Sequence, residues 1–73
     1  MKEKLIAELA EILETEQSEL NTDTMFKVDE FEWDSLKGFA ILIMIEETFG
    51  VEVSVDDFIE AKTVGDLIGL ISK

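Results

Sequence analysis

The chain has 73 residues, 18 of them Asp or Glu against 6 Lys or Arg, giving a formal charge of −12; 47% of the residues are hydrophobic, and Cys, His and Pro are absent. That length suits one domain around one core, and residues 1–73 are read as such. The composition excludes disulfides, thiolate metal sites and a Ser-His-Asp triad, and so acidic a surface repels nucleic acid and anionic lipid while steering cationic partners towards itself.

Lys2 to about Glu14 reads as an amphipathic helix, with Leu5, Ile6, Leu9, Ile12 and Leu13 at helical spacing and Glu8 and Glu11 opposite. The opening Met1-Lys2-Glu3-Lys4 leads into this acid-rich run and not into the unbroken apolar core of a signal peptide. The longest apolar run, Phe39 to Ile45, is too short to span a bilayer. A soluble cytoplasmic protein, monomeric and without membrane insertion, is expected.

From Thr15 to Trp33 periodicity is lost, and Asn21-Thr22-Asp23-Thr24 is turn chemistry. Met25, Phe26, Val28 and Phe31 are too apolar for a free linker. This long loop should therefore pack back on the helices, with one helical turn near Lys27–Phe31.

A second helix is expected from Ser35 to about Phe49, between an Asp34 N-cap and Gly50 as a C-terminal stop. It is apolar almost all round from Phe39 to Ile45. Leu36, Phe39, Leu42, Ile43, Ile45 and Phe49 are assigned to the core and pocket sides, and Ala40, Met44 and Ile41 to solvent. The latter, beside Glu46 and Glu47, would form a docking strip. Ser35 at the first helical position presents its hydroxyl beside free backbone donors and the positive end of the dipole, a place that suits a phosphate ester.

Gly50 to Val55 alternates like a strand but has no second strand to pair with, so an extended connection is expected. Ser54-Val55-Asp56-Asp57 has capping-box form and opens a short third helix through Phe58 and Ile59. Thr63-Val64-Gly65-Asp66 repeats the device for a last helix with Val64, Leu67, Ile68, Leu70 and Ile71 on its apolar face. The sum is an all-α, small four-helix bundle with a long first loop and a short third helix. Adjacent carboxylates such as Asp56-Asp57 and Glu46-Glu47 do not converge on one point and no EF-hand spacing is present, so no metal site is assigned.

Asp34-Ser35-Leu36, the helix to Glu46-Glu47-Thr48-Phe49-Gly50, and Thr63-Val64-Gly65-Asp66-Leu67 together resemble an acyl carrier protein. The resemblance covers nearly the whole chain and is weakest between Asn21 and Glu32. It implies a bundle of acyl-carrier type in which Ser35 bears a 4′-phosphopantetheine arm derived from coenzyme A. Asp34 and Leu36 would assist its attachment by a phosphopantetheinyl transferase. The arm's thiol would carry acyl or aminoacyl groups as thioesters between loading and transferring enzymes of fatty-acid or specialised biosynthesis, so the chain itself is no enzyme. Basic patches on those partners would meet Lys37, Ala40, Ile43, Met44, Glu46, Glu47 and Asp56. Acyl cargo would lie between the central helix and its neighbours, near Phe39, Ile43 and Ala61. The alternative is an unmodified, carrier-like adaptor that only binds protein partners. Glu32 and Trp33 stand where fatty-acid-synthesis carriers usually have Gly and a small residue, and Lys37 and Ala40 where they usually have acids. Those departures are similar to carriers used outside bulk fatty-acid synthesis, and imply a dedicated carrier that coexists with a housekeeping one.

Overall fold

A computed structural model describes residues 1–72. Among them are four α-helices: α1 Lys2–Leu13, α2 Ser35–Phe49, α3 Val55–Glu60 and α4 Val64–Ile71. Two 3₁₀ turns, Gln17–Glu19 and Asp29–Phe31, lie in the long first loop.

The helix ends follow from their sequences. Asp34 is extended and its carboxylate accepts from the backbone N–H of Lys37, which starts α2; Gly50 stops it in the left-handed region at φ 68°. Ser54 caps α3 by accepting from the N–H of Asp57. Thr63 and Asp66 form a reciprocal box at the start of α4: Thr63 Oγ1 accepts from Asp66 N, and the Asp66 carboxylate accepts from Thr63 N. Only α1 ends on an unexpected residue, Glu14, which takes the left-handed conformation that Gly would adopt without cost.

The core gathers Leu5, Ile6, Leu9, Ala10 and Leu13 of α1, Ile41, Met44 and Ile45 of α2, and Val64, Leu67 and Ile71 of α4. The loop supplies Leu20 and Phe26, the latter fully buried. Backbone bonds stitch this loop to the start of α4: Val64 N donates to Thr24 O at 3.0 Å, Gly65 N to Thr22 O at 2.8 Å, and Phe26 N to Lys62 O at 3.4 Å. The segment that loses all periodicity is thus tied down by main-chain pairing, the one isolated bridge (Met25 with Thr63) among the described residues.

One expectation about α2 is reversed. Ile41 and Met44, assigned to solvent, are buried, whereas Leu36 and Ile43, assigned to the core and pocket sides, are 77% and 55% exposed, and Phe39, 64% exposed, meets that assignment on the pocket side only. A helix apolar on every side carries no stripe to choose its own buried face. The choice is made by α1, against which α2 packs, and Ile41, Met44 and Ile45 are the side chains it buries. No helix among the described residues is long and apolar enough to cross a membrane.

Candidate functional site

Ser35 is the first residue of α2 and is exposed. Immediately before it, Asp34 Oδ1 accepts from Lys37 N at 2.9 Å, so the carboxylate is held over the first turn. Lys37 in turn sends its ammonium back to the carbonyl of Glu32, 3.0 Å away. Glu32 is left-handed at φ 52°, which explains why Gly would be the easy choice at this position. The dipeptide before Asp34 is therefore braced from both ends, by the Lys37 ammonium at Glu32 and by packing at Trp33.

Trp33 belongs to a closed triangle of rings. Its indole meets Phe26 edge-on with centroids 5.5 Å apart, and Phe58 at 6.3 Å; Phe26 and Phe58 are 6.1 Å apart. Gly38 sits where the rings approach α2, since a Cβ there would lie 3.5 Å from both Trp33 and Phe58. Against this triangle lies an open trough of about 380 Å³ that begins at Ser35. One wall is Ser35, Gly38, Phe39 and Leu42, a single stripe of α2; the other is Val55, Phe58 and Ile59 of α3.

Lys27 closes one side of the trough. Its ammonium donates to the carbonyls of Phe58 and Ile59 and lies 4.4 Å from the centre of the Phe58 ring. A cation at the end of a six-residue helix is well placed against its last carbonyls and an aromatic face. Burial, and then the neighbouring charge of Lys62, pushes Lys27 below its ordinary value. The sequence alone assigns Lys27 no role, because nothing local connects it with residues 31 positions later.

The docking residues are less of a unit than expected. Ile43, Glu46, Glu47 and Asp56 are exposed, and Lys37 and Ala40 are half-buried. Met44 is only 7% exposed and faces the core, so it is no docking residue. Of the three residues expected along the cargo space, Phe39 lines the trough, whereas Ile43 is exposed outside its lining and Ala61 is buried beside Gly65 and Leu70 of α4. Among the described residues no three carboxylates gather as a metal site would need.

The family described as phosphopantetheine attachment site matches residues 3–71. The chain is similar to an acyl carrier protein of Rhodococcus erythropolis, 38% identical over 99% of this chain and 82% of the relative. It is also similar to the meromycolate extension acyl carrier protein of Mycolicibacterium smegmatis, 37% identical over 99% of this chain and 76% of that one. An acyl carrier protein of Borreliella burgdorferi is 32% identical over 89% of this chain and 80% of its own length.

Proposed function

The chain belongs to the acyl carrier proteins, whose 4′-phosphopantetheine arm is the family's prosthetic group, and we propose that the hydroxyl of Ser35 is where this chain bears it. The observation that carries the reading is the position of Ser35, exposed on the first residue of α2 at the mouth of a trough whose walls are almost wholly apolar. The chain's remaining serines fit the role less well. Ser54 spends its hydroxyl on the cap of α3, Ser72 follows the end of α4, and Ser18 lies in a 3₁₀ turn.

The residues present suit a phosphodiester on Ser35. It would lie at the positive end of α2, within a turn of the Lys37 ammonium. When attached, the arm supplies a thiol that holds cargo as a thioester. The chain supplies presentation and recognition: Asp34 fixes the helix start and offers a carboxylate to the transferase's Mg²⁺, and Leu36, exposed beside Ser35, offers the transferase an apolar contact. With no His in the chain, the base for the attachment belongs to the transferase.

Biosynthetic enzymes with basic patches would dock on Lys37, Ala40, Ile43, Glu46, Glu47 and Asp56 and load or collect acyl groups there. Glu32, Trp33, Lys37 and Ala40 favour a dedicated carrier outside bulk fatty-acid synthesis. Residues 1–73 would act as one monomeric unit.

Intact mass after incubation with coenzyme A, Mg²⁺ and a broad-specificity phosphopantetheinyl transferase tests the assignment. The parent should gain one phosphopantetheinyl group and Ser35→Ala none. A gain in Ser35→Ala, or none in the parent with several transferases, would overturn it.

A further inference from the structure

The trough and the ring triangle beneath it say what class of cargo this chain accommodates. Taking Ser35 as the attachment point, we infer that the open trough takes a short, uncharged acyl group: Trp33 bars a long chain from threading into the bundle, and a lining that holds Lys27 and no carboxylate offers an aminoacyl group no partner.

Three observations carry this. The first is depth: Trp33 and Phe58 form the floor, and Phe26 lies against both and is fully buried, so the rings close the way into the core. The second is length. On α2 the trough runs from Ser35 to Leu42, about 10 Å at the helical rise. Its outer rims, Phe39, Val55 and Ile59, are each more than half exposed, so a longer chain would run out into water. The third is charge. The lining holds no carboxylate, and its one ionic group is the Lys27 ammonium, pinned by two carbonyls and the Phe58 ring. An ammonium-bearing cargo would meet apolar walls and a like charge there, with nothing to replace its hydration.

The test loads Ser35 through the transferase from coenzyme A, butyryl-, octanoyl-, dodecanoyl- and β-alanyl-coenzyme A, with intact mass confirming each product. The chain's only Trp then reports directly from the trough floor. Butyryl should raise Tm by about 4 °C over the arm alone and shift the Trp33 emission. Octanoyl, about as long as the trough, should raise Tm further, dodecanoyl should add little more, and β-alanyl should resemble the bare arm. In Trp33→Leu, where the floor is lowered, dodecanoyl should stabilise clearly more than octanoyl. A parent Tm that climbs as steeply from octanoyl to dodecanoyl as from butyryl to octanoyl would overturn the inference, as would equal effects of β-alanyl and butyryl. If Trp33→Leu does not fold, the parent's own series decides. Failure to gain mass at all would count against Ser35 as the attachment point and not against the role of Trp33.

Discussion

The Asp34 carboxylate and the Lys37 side chain hold the start of α2 from opposite directions: Asp34 accepts from the Lys37 N–H at 2.9 Å, while the Lys37 ammonium reaches over Asp34 to the Glu32 carbonyl. Asp34→Ala removes the cap and should cost about 1 kcal/mol in urea denaturation. Asp34→Asn keeps an accepting oxygen and should stay within a few tenths of a kcal/mol of the parent. It should nonetheless be modified more slowly, because the charge offered to the transferase's Mg²⁺ is gone. Equal modification rates would leave Asp34 a cap alone.

Ile43 and Met44 are neighbours in sequence with opposite duties. Met44→Ala opens space in the core and should lower stability by about 2–3 kcal/mol. Ile43→Ala should change stability by less than about 0.5 kcal/mol yet weaken binding to an enzyme that docks on α2. Denaturation and titration calorimetry on the same two variants separate the effects.

Backbone conformation sets the sign of three further substitutions. Gly50→Ala forces a Cβ into the left-handed region and should cost about 1–2 kcal/mol. Glu32→Gly relieves the same strain and should gain up to about 1 kcal/mol, leaving the bond to Lys37 intact because it is made by the backbone carbonyl. Gly69 lies inside α4 in open space, where an added methyl would meet no atom within 4 Å, so Gly69→Ala should gain about 1 kcal/mol.

The Asp66 carboxylate accepts from Lys62 N at 2.8 Å and Thr63 N at 3.1 Å, and these bonds hold it below its ordinary value of 3.8. A depressed folded value means that the unfolded chain binds the proton more readily. The contribution of Asp66 is therefore complete above the ordinary value and disappears as pH falls through the lower, folded one. Acidification also relieves the repulsion of a −12 chain, an effect of opposite sign. The difference between parent and Asp66→Asn, followed by urea denaturation from about pH 5 to pH 2, isolates the cap and should shrink towards the acid end.

Lys37→Glu with Ala40→Glu restores negative charge to the first turns of α2. Binding to fatty-acid-synthesis enzymes with basic patches should tighten several-fold, mainly through faster association, and the gain should fade as salt is raised. Unchanged affinity would mean that recognition does not depend on this turn.

Helix ends are readable because each is written in two or three adjacent residues: Asp34 and Gly50 bound α2, and Thr63 with Asp66 opens α4. Which way α2 turns is not readable. Ile41, Ile43 and Ile45 are equally apolar, and the decision that buries the first and last but exposes the second rests with α1. Ser35 stands out in the sequence, but its trough does not. That trough depends on Lys27 and Trp33 of the long first loop converging with Phe58 of α3, and only the folded loop brings them together.

The seam between the loop and α4 has a kinetic side. Thr22 and Gly65, joined by a 2.8 Å backbone bond, stand more than half the chain apart, so their pairing must wait for a large loop to close. The helices can form from local contacts first, and the loop that carries Phe26 and Lys27 to the trough docks afterwards. A Cβ at Gly65 would come within 3.0 Å of the Thr22 carbonyl. Gly65→Ala should accordingly accelerate unfolding while leaving the folding rate almost unchanged, the mark of a contact made after the barrier. The trough would then be the last part of the molecule to assemble and the first to come apart.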